Sequence, residues 1–125
     1  MSFNWQEYIT LANNLIKNPC SGNEESYYRS AISRAYYGVF GIAKMFVIKS
    51  GVSLPPQNTH QFLINNYKNS SDSVRKKIGK NLDSLRRDRN KADYEDNISL
   101  NFKYAETSYK NAEQILKDLK NIGAI

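Results

Sequence analysis

The sequence predicts an all-α protein, an up-and-down helical bundle of four main helices plus one short helix, in a single domain over residues 1–125. Three observations carry this. Apolar residues recur every three or four positions along almost the whole chain, the spacing that gathers them on one face of a helix. The alternation of Val, Ile and Thr that marks strands is absent. The breaks between periodic segments are short, which makes successive helices antiparallel neighbours. A chain of 125 residues holds one core but not two, and 40% apolar residues with fifteen aromatics, nine of them Tyr, are enough to fill it.

The first helix is expected from about Asn4 to Lys17, with Trp5, Tyr8, Ile9, Ala12, Leu15 and Ile16 on one face. Asn4 followed by Glu7 has the spacing of a capping box. Asn18-Pro19 ends the helix, because proline disfavours helical geometry in the residue before it. The second helix is the longest, about Asn23 to Ser50. Glu24 and Glu25 suit the positive end of its dipole, and Lys49 with Gly51 closes the other end. Tyr28, Ile32, Ala35, Val39, Ile42, Ala43 and Phe46 form its core stripe. Ala31, Ala35, Gly38 and Gly41 make a flank of small residues that a neighbouring helix can approach closely. Each glycine there costs the helix about 1 kcal/mol relative to alanine, so packing is the expected reason for both.

Val52-Ser53-Leu54-Pro55-Pro56 is the clearest break. The short third helix follows, capped by Asn58 or Thr59, with Phe62, Leu63 and Tyr67 turned inward. Ser70-Ser71-Asp72-Ser73 then opens a basic fourth helix whose core edge is Val74, Ile78, Leu82 and Leu85. After Asp93 the acidic run and Asn97 interrupt it. The last helix is expected from about Ser99 to Asn121, with Phe102, Ala105, Tyr109, Ala112, Leu116 and Leu119 along one face.

Several chemistries are excluded at this stage. No uninterrupted apolar run approaches the roughly 18 residues of a membrane span, and the beginning of the chain lacks a secretory pattern, so a cytoplasmic protein without a membrane partner is expected. Cys20 is the single cysteine and sits in a linker, Asn18-Pro19-Cys20-Ser21-Gly22, where a nucleophile is not expected. With one Cys and one His, 40 residues apart, no zinc site and no other metal site is expected. Gly38 and Gly41 lie mid-helix, not on a strand-to-helix turn, so no phosphate loop or dinucleotide fingerprint exists, and no cofactor is expected. His60 is the one imidazole and the one side chain whose ordinary pKa suits proton transfer near neutrality. A structural or capping role is its ordinary alternative.

The net charge is +6, and its placement is informative. Arg75, Lys76, Lys77, Lys80, Arg86, Arg87, Arg89 and Lys91 lie between Val74 and Ala92, against Asp83 and Asp88 alone, so this segment carries the whole excess. Such concentration in one helix points to a phosphate-bearing partner, with a solvated surface as the plain alternative. A second polar group lies in Ser33-Arg34-Ala35-Tyr36-Tyr37. Arg34 and Tyr37 are three apart and share a helix face; a guanidinium and an aromatic ring suit phosphate and base recognition. The same pair could instead lock two helices, with Arg34 bound to Asp93.

Ser33-Arg34-Ala35-Tyr36-Tyr37 in a long second helix, Thr59-His60 opening a short one, and Arg86-x-x-Arg89-x-x-x-Asp93-Tyr94 before a final helix occur in one order. Together they resemble the HEPN superfamily (higher eukaryotes and prokaryotes nucleotide-binding domain), in the short stand-alone prokaryotic branch whose fourth helix ends in Ala-Asp-Tyr. The resemblance runs from Trp5 into the last helix. It implies a helical bundle, commonly a homodimer, from a group linked to RNA cleavage, toxin–antitoxin pairs and defence, some of whose members partner a nucleotidyltransferase or antitoxin. Catalytic members carry an arginine followed four to six residues later by a histidine. Here that position holds Asp93, with five residues between it and Arg87 or six between it and Arg86. An aspartate is a poor substitute for imidazole near neutral pH. The resemblance therefore implies a module that binds RNA, a nucleotide or a partner protein through Arg34, Tyr37, Arg86, Arg87, Arg89, Asp93 and Tyr94, without efficient catalysis. The alternative is a metal-independent ribonuclease using Arg87 or Arg89, with Asp93 or His60 moving the proton.

Overall fold

The computed structural model of the chain describes residues 2–125, and among them every regular element is helical. In chain order these are α1 Gln6–Lys17, α2 Glu24–Lys49, α3 Thr59–Lys68, α4 Ser73–Tyr94 and α5 Phe102–Asn121. The expected bundle of four main helices and one short one is present. α2 is its axis and packs on α1, α4 and α5, whereas α3 rests mainly on α4. The apolar residues of α2 spread around most of its circumference, as this central position demands: Ala31, Ile32, Ala35, Tyr36, Val39, Phe40, Ile42, Ala43 and Val47 are all buried. By length and mean hydropathy α2 could cross a membrane, although it contains no unbroken apolar run of that length; 67% of the qualifying window is buried inside the bundle.

The helix ends follow local chemistry. Asp72 accepts from the Arg75 amide and Asn101 from the Tyr104 amide, both at 2.9 Å, which satisfies one orphan donor at the start of α4 and of α5. The cap of α1 differs from expectation. Asn4 Oδ1 accepts from the Gln6 amide at 3.1 Å and the helix begins at Gln6, without a reciprocal bond from Glu7. Gly51, at φ +94°, ends α2 in the left-handed conformation that glycine adopts without strain.

Gly38 and Gly41 are packing positions, as their cost implied. A Cβ on Gly38 would lie 2.5 Å from Ile9 Cδ1, and one on Gly41 would run into the Trp5 indole, so α1 and the residue before it seat directly on the α2 backbone. Two inward assignments are corrected. Phe62 is 38% exposed, because α3 docks through Leu63, Ile64 and Tyr67, and position 62 lies a quarter-turn away from that face. Phe102 is 45% exposed and meets the Tyr28 ring edge-on at 6.1 Å. The buried stripe of α5 runs through Ala105, Ser108, Ala112, Ile115 and Leu119 instead, rotated by about one position from the line of large residues. Ser108 earns its inward place by donating to Asp88 of α4 at 2.8 Å.

Candidate functional site

The arginines that crowded one stretch of sequence lie in distinct environments. Arg87 is on the solvent face, 2.7 Å from Asp83, which also holds Lys68 at 3.1 Å. Exposed pairs of this kind contribute about 0–1 kcal/mol. Arg89 is 6% exposed. Its guanidinium carbon lies 5.4 Å from the Tyr36 ring centroid, 5.1 Å from Tyr37 and 5.8 Å from Tyr94, with Asp93 at 3.7 Å. Three rings and a carboxylate thus compensate a buried charge. Tyr94, 75% exposed, is the outer member of that cage. Arg34 lies 4.8 Å from the Tyr8 ring and 5.7 Å from Tyr37. It shares a groove with Asp93, but no ion pair joins them: Asp93 meets Ser33 Oγ at 3.3 Å and Arg89.

The lock between α2 and the end of α4 is made by Arg29, one turn nearer the start of α2. Its guanidinium donates to the carbonyls of Lys91 (3.3 Å), Ala92 (3.0 Å), Glu95 (2.8 Å) and Ile98 (2.8 Å), and to Glu25 at 2.9 Å. Glu25 in turn accepts from the Leu100 amide and Ser99 Oγ, both at 3.3 Å. The Arg29 hydrogen bond, followed by that from Leu100, holds the Glu25 carboxyl below its ordinary pKa. The pair Glu25 and Arg29 at i, i+4 was legible in the sequence. Its targets are main-chain carbonyls, which carry no sequence signal.

Arg86 opens onto a different place, a cleft of about 550 Å³ between α2, the start of α3 and α4, lined also by Trp5, Tyr37, Phe40, Gly41, Lys44, Asn58, Thr59 and His60. Of the residues singled out from sequence, it brings together Arg86, Tyr37 and His60. Arg34 and Asp93 share the separate groove, Arg87 is outside both, and Arg89 with Tyr94 form the cage behind Tyr37. Trp5, Phe40 and Lys44 are additions. A signal for two of them existed: Tyr37, Phe40, Gly41 and Lys44 follow the three-and-four spacing of one helix face. Trp5 enters the cleft because Gly41 leaves its ring room.

The cleft combines aromatic walls with cationic and hydrogen-bonding groups. Trp5, Tyr37 and Phe40 offer ring faces or edges, while Arg86 and Lys44 supply positive charge. Arg86 Nε is buried and has no hydrogen-bond partner among the described residues, an unusual condition for a charged donor. His60 is stacked on Phe40, with ring centroids 4.1 Å apart and planes 12° apart, and its Nδ1 lies 2.7 Å from the Tyr36 hydroxyl. Burial, reinforced by Arg86, Arg89 and Lys44, pushes the His60 pKa down to about 4, so the ring is neutral at pH 7. Asn58, at φ +56°, is the one residue other than glycine in the left-handed region among those described, and it forms the cleft's lip as the cap of α3.

Such an arrangement can hold a flat ring and an anionic group together. At neutral pH the lowered pKa leaves the His60 ring uncharged, and Asp93 lines the separate groove. No group of three or more His, Cys, Asp or Glu among the described residues could hold a metal ion. Compared with known protein families, residues 6–122 match the model of the HEPN domain. No curated protein sequence matches the chain.

Proposed function

The chain belongs to the HEPN domain family, and from that premise we propose that it is a binding module that takes a phosphate-bearing nucleotide, free or as a unit of single-stranded RNA, in the cleft between His60 and Arg86. The observation that carries the proposal is the convergence of Arg86 and Lys44 on a cleft walled by Trp5, Tyr37 and Phe40. A guanidinium and an ammonium suit phosphate oxygens, and aromatic walls suit a base, which offers a stacking face whatever its identity. Lys76, Lys80, Arg87 and Lys91 of α4 are exposed and would raise the local concentration of a longer polyanion around the protein.

Binding without efficient cleavage is part of the proposal, since a neutral imidazole with a depressed pKa and a remote Asp93 supply poor proton transfer. A second copy of the chain, or an antitoxin or nucleotidyltransferase partner, belongs to the same picture of a cytoplasmic toxin–antitoxin or defence module; co-purification with neighbouring gene products tests it. Trp5 is the only tryptophan, so titration with a nucleoside monophosphate or a short single-stranded RNA is read directly in its fluorescence. Saturable quenching is expected, with RNA affinity falling as salt rises because bound counterions are released. No fluorescence change at low salt, or an RNA affinity indifferent to salt, refutes the proposal. Cleavage of RNA in chelator that disappears in His60→Gln would restore the ribonuclease alternative.

A further inference from the structure

We propose that Tyr36 sets the tautomer of His60, so that the imidazole presents a fixed Nε2–H donor to the cleft and favours a phosphate-bearing ligand over the corresponding nucleoside. The selectivity clause rests on the cleft being a nucleotide site; the tautomer does not.

The argument begins with a hydrogen-bond count. Tyr36 is 0% exposed, and its hydroxyl has one partner among the described residues, His60 Nδ1 at 2.7 Å. Two arrangements satisfy that distance. If Nδ1–H donated to the phenol oxygen, the phenol's own proton would be left buried without an acceptor, which costs about 1–3 kcal/mol. If the phenol donates to Nδ1, both groups are satisfied by one bond. A neutral imidazole carries one proton, and with Nδ1 as the acceptor that proton sits on Nε2. Burial raises the Tyr36 pKa, which keeps the phenol protonated and able to donate.

The ring plane is fixed as well as its tautomer. Phe40 stacks on His60 at 4.1 Å, and Tyr36 lies nearly parallel to it, 5.7 Å away with planes 16° apart. Tyr36 is held in turn by the Arg89 guanidinium, 5.4 Å from its centroid. Among the described residues Nε2 has no protein partner, and it is not among the unpartnered nitrogens sealed from solvent, in a residue that lines the cleft. Arg86 and Lys44 line the same space, and both can only donate. Three donors around one cleft favour an anion rich in acceptors, and phosphate is such a group.

Because the chain has a single histidine, its imidazole nitrogens can be assigned without ambiguity by nitrogen-15 NMR correlated to the ring carbon-bound protons. In the free wild-type protein at neutral pH, a protonated Nε2 and an unprotonated Nδ1 are expected. A protonated Nδ1, or averaged signals from both tautomers, overturns the proposal, and this measurement needs neither a ligand nor a variant. In Tyr36→Phe, checked for folding by circular dichroism, the tautomers should mix. Affinity for a nucleoside monophosphate should fall by the inverse of the Nε2–H fraction that NMR reads in the variant, about twofold for an even mixture, while affinity for the nucleoside is unchanged. Equal loss for both ligands overturns the selectivity claim. A wild-type protein that binds neither ligand overturns the cleft as a nucleotide site, and the NMR assignment still decides the tautomer.

Discussion

Arg29 and Arg86 are both cations at the junction of α2 and α4, and they stand in opposite states. Arg29 has spent its donors on four carbonyls and a carboxylate. Arg86 lines a cleft and keeps a buried Nε with no partner among the described residues. A guanidinium with its donors paired holds a fold together; the Nε of Arg86 is sealed from solvent, as is that of Arg89, so it is an unpaired donor and not itself a ligand contact. Charge and residue type are the same in the two regions; the hydrogen-bond account separates them.

The contrast predicts a wide gap in stability effects. Arg29→Met removes the bonds that tie residues 91–98 to α2 and is expected to destabilise the protein by about 2–4 kcal/mol in urea unfolding, since part-buried carbonyls lose their partners. A change below about 0.5 kcal/mol would mean that water replaces the guanidinium freely and that the clamp is incidental.

A smaller effect is expected at the cleft's histidine, and its sign follows from linkage. The folded-state pKa of His60, about 4, lies below its ordinary 6.5, so under acid the unfolded chain takes up a proton that the folded chain refuses. This contribution to stability is fully present above pH 6.5, is lost as pH falls from 6.5 through about 4, and is flat below. The difference in urea midpoint between wild type and His60→Gln should therefore vary with pH in that window. A constant difference from pH 7 to 4 would show that the ring protonates as easily in the fold as in water.

The smallest stability change belongs to Arg86→Met, within about 0.5 kcal/mol of wild type or slightly stabilising, because the change removes a buried donor that nothing satisfied. Nucleotide affinity should fall by at least about tenfold in the same variant, as expected for losing a charged phosphate contact. Stability lost together with binding would erase the distinction between the two arginines.

Most of the fold was legible because helix periodicity is written in side-chain polarity. The second helix, expected from about Asn23 to Ser50, runs from Glu24 to Lys49, and the break at Pro55-Pro56 follows from turn residues. At Phe62 and along α5 the largest apolar side chains are not the inward ones. The chain buries Ile64 and Ser108 instead, because docking geometry and the Asp88 hydrogen bond select the face. The site was legible only in part. Arg86, Tyr37 and His60 were singled out, but their convergence depends on how α3 lies on α4, a long-range relation that no local pattern encodes. Arg29 was missed because its partners are backbone atoms, and the Arg34–Asp93 pairing was expected because opposite charges are visible in sequence whereas distances are not.

The seating of Trp5 over Gly41 has an evolutionary consequence. One wall of the cleft is furnished by a side chain that precedes the first helix, and the room it occupies exists only while position 41 has no Cβ. The two positions are therefore epistatic. Alanine at 41 should be deleterious beside an indole and tolerated beside a smaller residue at 5, so drift at one site opens or closes routes at the other. Among descendants of this sequence, positions 5 and 41 should change as a pair, and the shape of the cleft should change when they do.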